Sequence, residues 1–390
     1  MRRAGLVVLA LLAAAVPLAV PADSPPFSPA QPGATESMPV VLLHDVGSGQ
    51  ALLERNADLR FVPASMAKVM TAYVAFELIK QGKLRPEQTF RVAPGMSARF
   101  DASASSMALK DGEQVTVDRL LQGLLTVSAN DAAEVLAAGH AGTVPGWCEL
   151  MNAEAQRLGL GDSNFASPNG WPDGGKTYVS ARDLVRLSEA LIYRHPELYR
   201  RYFGRLRLDL PGGEGRNFDP VTGVVDGADG IKTGHTNEAG YNFLGSAERA
   251  GRRLVMVVAG GKSIDERASA SRALLEWGFA EWQTRPLFAA GVPVAEASVQ
   301  NGNARRVVLN APYAIHAAMP RGTENASGPT LRLIYQGPLI APIAKGAKVA
   351  ELEIVMPDQT SSRVPLYAAE EVVLAGPLDR MVNGLAGLMP

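Results

Sequence analysis

The chain of 390 residues carries 38 basic and 39 acidic side chains, a net charge of −1, and is 47% apolar. Such a balance excludes an intrinsically disordered chain and gives no footprint for nucleic acid, and the length allows two domains around a sizeable core. Cys148 is the lone cysteine, so no intramolecular disulfide forms, and five scattered histidines show no metal-ligand spacing.

The chain opens on "MRRAGLVVLALLAAAVPLAVPADSPP", with Arg2 and Arg3 ahead of an apolar run over residues 6–20 and then small residues. This layout predicts a secretory signal over 1–22, cleaved after Ala22, in preference to a retained anchor. Residues 23–37, rich in Pro and Ser, read as a flexible leader. No second run of about 18 apolar residues follows, so the mature chain is expected to be exported without spanning a membrane.

From residue 38 strands and helices mix. "MPVVLLHDVGSGQALLERN" alternates and turns at Gly47 and Gly49, as a hairpin does. "PASMAKVMTAYVAFELIK" predicts a helix running to about Lys80 that aligns Ser65, Lys68, Ala72, Phe76 and Ile79 on one face. A helix this apolar is buried, so Lys68 must either reach water or lose its charge. In the second case it becomes a base one turn from a hydroxyl. "TVDRLLQGLLTVSANDAAEVLAAGHAG" is helical on both sides of a break that turns Ser128 and Asn130 into one cleft. "GWCELMNAEAQRLGLG" follows as a helix with a glycine stop. "SARDLVRLSEALIYRHP" is another, with Ser180 as cap and Asp183 three residues on. "DGIKTGHTNEAGY" puts Lys232, Thr233 and Gly234 on a strand, where Gly234 admits a close backbone approach. Two strands then turn at Ala250–Gly251, and "DERASASRALLEWGFAEW" returns to helix.

After about residue 285 short strand-like runs punctuated by Pro and Gly predict a separate all-β domain over 285–375. The fold class is therefore α+β, an antiparallel sheet packed with helices over 38–284, followed by the small β domain. The tail, 376–390, sets Leu378, Met381, Val382, Leu385, Leu388 and Met389 at helical spacing opposite Asp379, Arg380 and Asn383. That pattern suits a membrane interface. With one cation and two glycines in a short stretch, it suits a packed or frayed end nearly as well.

Ser65-x-x-Lys68, Ser128-x-Asn130 and Lys232-Thr233-Gly234 are each weak alone. Their order, separation and local context together are the motif set of penicillin-binding proteins and β-lactamases. The chain resembles the low-molecular-mass penicillin-binding proteins that are serine D-alanyl-D-alanine carboxypeptidases (peptidase family S11). "PASMAKVMTAYVAFE", "SANDAAEVLA", "NGWPDGGKTYVSARDL" and "DGIKTGHTNEAGYNFLGSA" carry the likeness, which spans residues 38–390. The resemblance implies a β-lactamase/transpeptidase-like fold and an exported enzyme that removes the terminal D-alanine of peptidoglycan stem peptides. It also implies periplasmic residence, attachment of the tail to the outer face of the inner membrane, covalent inhibition by β-lactams, and no metal or cofactor. It makes Ser65 the nucleophile, Lys68 its base, Ser128 a proton shuttle and Asn130 a holder of the substrate amide. Lys232 and the Thr233–His235 backbone would bind substrate, the N–H groups of Ser65 and His235 would form the oxyanion hole, and Arg267 would receive the terminal carboxylate. Arg267 also reads as a solvated helix-start charge beside Asp265 and Glu266. Tyr178 and Val179 stand where such proteins often carry a histidine.

The same residues would serve a D,D-endopeptidase. A β-lactamase would want a carboxylate in a Glu-x-x-x-Asn loop, whereas "ASPNGWPDGG" offers only Asp173. A non-catalytic binder would have no need of all five polar motif residues.

Overall fold

The computed structural model describes residues 29–100, 105–323 and 327–376. The signal expected over 1–22 and the amphipathic tail expected at the C-terminus, from residue 377 on, lie outside the described residues. Among the described residues no helix is long and apolar enough to cross a membrane.

One unit comprises Gln31–His44 and Ala51–Phe279. In chain order its elements are β1 (Val40–Asp45), β2 (Gln50–Arg55), α1 (Lys68–Lys80), β3 (Thr89–Arg91), α2 (Met96–Arg99), β4 (Gln114–Thr116), α3 (Val117–Thr126), α4 (Asn130–Ala141), α5 (Val144–Leu158), α6 (Ala181–Arg194), α7 (Pro196–Tyr202), β5 (Arg207–Leu210), β6 (Gly213–Arg216), β7 (Ala228–Thr236), β8 (Gly240–Arg249), β9 (Arg252–Gly261) and α8 (Ile264–Ala280). The main sheet has the order β2-β1-β9-β8-β7, so β7 is an edge strand. Leu254 through Val258 on β9 are all fully buried. Because neighbouring strand residues face opposite ways, both faces of the sheet are covered there, each side chain contributing about 1.5–3 kcal/mol. Gly278 of α8 sits where a Cβ would meet Leu43 and Leu254, so the missing side chain lets this helix lie close on the sheet.

Helix α1 is buried from Lys68 to Leu78 and packs against α3, α4, α5 and α6. It begins later than the sequence predicts. Ala64–Ala67 form a 3-10 turn and the α-helix starts at Lys68, so Ser65 stands in the turn. Ser180 caps α6 as expected, accepting from the Asp183 N–H. The Asp183 carboxylate does not reach back, and instead accepts from the Asp162 N–H and Ser163 Oγ.

The leader needs correction. Its described part does not behave as a free linker: Gly33–Thr35 form a 3-10 turn and Thr35 is fully buried. The Arg55 guanidinium donates to the carbonyls of Thr35, Glu36 and Met38, at 2.7, 3.4 and 3.1 Å, and fixes the turn.

The other unit contains, among the described residues, Asp45–Gln50 and the chain from Ala280. It holds β10 (Trp282–Phe288), β11 (Ala295–Gln300), β12 (Arg306–Asn310), β13 (Ile315–Pro320), β14 (Thr330–Ile334), β15 (Leu339–Ile340), β16 (Lys348–Val355) and β17 (Ser361–Ala368). It begins a few residues before the expected residue 285 because Trp282 already pairs with Pro320, in the β10–β13 ladder. The larger sheet runs β14-β16-β17-β12-β11-β15, and β16 and β17 alternate buried with less buried positions, as a sheet with one covered face does.

Candidate active site

Lys68 is fully buried at the start of α1, and three oxygens surround its Nζ: Ser65 Oγ at 2.8 Å, Asn130 Oδ1 at 2.7 Å and the Asn169 carbonyl at 2.8 Å. Burial above all, and then the nearby Lys232, hold its pKa well below that of an ordinary lysine, with Asp131 opposing. A neutral amine has two N–H donors and one lone pair. The Asn130 and Asn169 oxygens can only accept, so they take both donors and leave the lone pair to the Ser65 hydroxyl. This is the geometry of a base holding a nucleophile's proton. Ser65 does not cap a helix, and Lys68 does not extend to solvent.

Two glycines let the chain close around Ser65. A Cβ on Gly170 would fall 1.8 Å from the Ala64 carbonyl oxygen, and one on Gly234 would fall 2.3 Å from that of Pro63. The backbone that approaches Gly234 is thus the protein's own Pro63–Ser65 turn. Ala64 is held at φ 50° in the same turn.

Ser128 lies between α3 and α4 at φ 60°, an uncommon conformation for a non-glycine residue, and is 8% exposed. The turn is braced from outside. Asn130 donates its N–H to the Ser105 carbonyl at 2.7 Å. The buried Asp131 carboxylate accepts from Ser106 Oγ at 2.6 Å, the Met107 N–H at 3.0 Å and the Leu109 N–H at 3.2 Å. Asp131→Ala strands these donors and should destabilise the fold by about 3 kcal/mol or more. Urea melts check the stability, and acylation kinetics should show a parallel loss because the Ser128–Asn130 turn is no longer held.

Lys232, Thr233 and Gly234 lie buried on edge strand β7, with His235 exposed and stacked on Tyr241 at 4.0 Å between ring centroids. Lys232 Nζ donates to the Thr233 carbonyl at 3.1 Å. Burial first, and then the charge of Arg267, pull the Lys232 pKa down to about 7, with Asp219 opposing. Arg267 is 4% exposed, so the solvated reading of this residue is wrong. It leaves the face shared by Asp265 and Glu266 and turns inward. Its Nη2 donates to the Phe218 carbonyl at 3.2 Å, its guanidinium lies 6.0 Å from the Tyr241 ring centroid, and its buried Nε has no partner. A buried guanidinium with an unpaired donor has the capacity to receive an anion.

The structure therefore joins Ser65, Lys68 and Asn130 by direct contact, sets Gly234 against the turn that carries Ser65, and couples Lys232 electrostatically to both Lys68 and Arg267. Sequence reasoning missed Asn169 and Gly170, although both lie in the quoted "NGWPDGG" loop. A Pro-Asn-Gly turn there was the available signal. Asp173, the loop's only carboxylate, accepts from the Thr177 N–H and hydroxyl and is occupied within the loop. Tyr178, at the departure noted above, pairs with Asn164 and lies under Arg60.

The chain is similar to known proteins in sequence and fold. Residues 27–263 match the family model described as D-alanyl-D-alanine carboxypeptidase, and residues 282–374 match the model described as penicillin-binding protein 5, C-terminal domain. The D-alanyl-D-alanine carboxypeptidase DacA of Haemophilus influenzae is 33% identical over 340 residues, covering 86% of this chain and 85% of that protein. DacA of Escherichia coli is also 33% identical, over 85% and 82% of the two chains. Among solved structures, penicillin-binding protein 5 from Haemophilus influenzae aligns with a TM-score of 0.69 at 30% identity, over 89% of this chain and 99% of that one. The ampicillin-bound penicillin-binding protein D2 of Listeria monocytogenes aligns with a TM-score of 0.56 at 32% identity, over 62% and 97%.

Proposed function

The chain belongs to the D-alanyl-D-alanine carboxypeptidase family of serine peptidases, and we propose that it removes the terminal D-alanine of peptidoglycan stem peptides through an acyl-enzyme on Ser65. The observation that carries this reading is the buried Lys68 amine 2.8 Å from the Ser65 hydroxyl, its pKa held down by burial and by Lys232.

Ser65 Oγ attacks the carbonyl of the penultimate D-alanine as its proton passes to Lys68 Nζ. The N–H groups of Ser65 and His235 receive the oxyanion. As the carbon–nitrogen bond breaks, a proton reaches the leaving amine by way of Ser128, and D-alanine departs. Water then cleaves the ester and restores Ser65. Edge strand β7 can pair with an extended peptide through its backbone at Thr233–His235, and Asn130 holds the substrate amide. The same attack on a β-lactam ring opens it and leaves a covalent adduct.

Lys232, the Thr233 hydroxyl and Arg267 form the seat of the terminal carboxylate. The unpaired Nε of Arg267 suits a substrate whose leaving residue carries a free carboxylate, as a terminal D-alanine does. The basic and apolar start of the chain supports export by a signal over 1–22, and its amphipathic end supports periplasmic residence on the outer face of the inner membrane. No metal or cofactor takes part in this scheme.

Intact mass after exposure to a penicillin should gain one adduct, on Ser65, and the enzyme should release D-alanine from a D-Ala-D-Ala peptide. A fast-vanishing adduct with no peptide turnover would make it a β-lactamase instead. The wild type should cleave the free-acid peptide faster than its C-terminal amide. Arg267→Ala should cut that preference by roughly 10- to 150-fold, the worth of a charge-assisted hydrogen bond of about 1.5–3 kcal/mol.

A further inference from the structure

We propose that Glu134 is a positioning residue for the base, acting through Asn169 on Lys68. It rests on Lys68 being the base, as proposed above.

Glu134 follows Asn130 by four residues on α4, so the two side chains share a face. Its side chain is 5% exposed, and its carboxylate is gripped at both oxygens. Oε2 accepts from Arg99 Nη1 at 2.5 Å, and Oε1 accepts from Asn169 Nδ2 at 3.3 Å. Asn169 is 1% exposed and has no freedom to turn its amide over. The Trp171 N–H, 2.9 Å away, can only donate, so it faces Oδ1, and the Ser167 hydroxyl donates to the same oxygen at 2.6 Å. Nδ2 must therefore face an acceptor, and Glu134 is the one it meets. The backbone carbonyl of this same residue accepts from Lys68 Nζ. The path from Arg99 to the base is one continuous run of contacts, Arg99 to Glu134 to the Asn169 amide to the Asn169 carbonyl to Nζ. Burial pushes the Glu134 carboxyl pKa up, while Arg99 and Asn169 draw it down. Arg99, by holding Oε2, fixes the carboxyl so that Oε1 faces Asn169.

The role requires no contact between Glu134 and substrate. Without it the Asn169 carbonyl is free to shift, the amine is aimed less well at Ser65 Oγ, and the chemical step slows while binding does not.

The test is stopped-flow acylation by a chromogenic cephalosporin, normalised to titrated active enzyme, with separate values for the dissociation constant of the encounter complex and the acylation rate constant. Glu134→Ala should lower the rate constant by about 10- to 100-fold with the dissociation constant unchanged. Glu134→Gln keeps an oxygen for Asn169 and should recover most of the rate. Arg99 is an exposed helix-end side chain, so Arg99→Ala folds even if Glu134→Ala does not, and it should show an intermediate loss. The double variant Arg99→Ala/Glu134→Ala should be no slower than Glu134→Ala alone, because both cut one path. A wild-type rate constant in Arg99→Ala or in a folded Glu134→Ala, or losses that multiply in the double variant, would overturn the assignment. If instead Lys68→Ala acylates normally, the base itself is misassigned and the proposal falls with it.

Discussion

Ser65→Ala leaves a folded protein that gains no mass on exposure to a penicillin and releases no D-alanine. The loss should be on the order of 10⁶-fold, the scale seen when a serine peptidase loses its nucleophile. The alanine methyl fits the 3-10 turn without strain, and Lys68 keeps both of its donated hydrogen bonds, to Asn130 and Asn169. Stability should therefore change by about 1 kcal/mol at most. Intact-mass spectra and thermal melts read the two halves of this expectation. A labelled Ser65→Ala protein would move the nucleophile to another residue.

Lys68→Met keeps the volume of the buried side chain and removes the base. Acylation should fall by about 10²- to 10⁴-fold, the usual worth of a general base. In the wild type only the neutral amine accepts the Ser65 proton, so activity is lost as the pH falls through the Lys68 pKa. Because burial and then Lys232 hold that pKa well below an ordinary lysine's, the loss should come at a lower pH than an ordinary lysine would give. Lys232, with a pKa of about 7, sheds its charge as the pH rises and weakens the seat for the substrate carboxylate. The profile of kcat/KM should therefore be bell-shaped, its two limbs belonging to the coupled lysines together. Lys232→Gln should move the acid limb to higher pH, since the cation that depresses Lys68 is gone. A profile that stays put would remove the coupling.

The motif residues with reactive side chains were legible because their chemistry demands particular groups in particular local settings. A lysine inside an apolar helix is conspicuous, and so is a Ser-x-Asn turn between two helices. The antiparallel sheet and the β-rich second unit were legible from alternation and turn residues, which depend on neighbours in sequence. Other features depend on neighbours in space alone. The Asn169 carbonyl is a backbone group and leaves no mark in its own side chain. Glu134 reads as one more acidic residue on a helix until Asn169 and Arg99 are folded against it. Arg267 follows two acidic residues that point to solvent, and only the helix rotation buries it. The leader misled because Pro and Ser describe a chain without internal structure, whereas its order is supplied by Arg55, some twenty residues downstream.

The two glycines that flank the Pro63–Ser65 turn limit what this enzyme can become. Any side chain at Gly170 or Gly234 collides with main-chain atoms of the turn itself, where no rotamer can step aside. Drug resistance in such a protein therefore has little room to arise by reshaping the walls next to Ser65. Viable escape from β-lactams must be sought at positions other than these two glycines, where a new side chain does not meet the main chain of the turn.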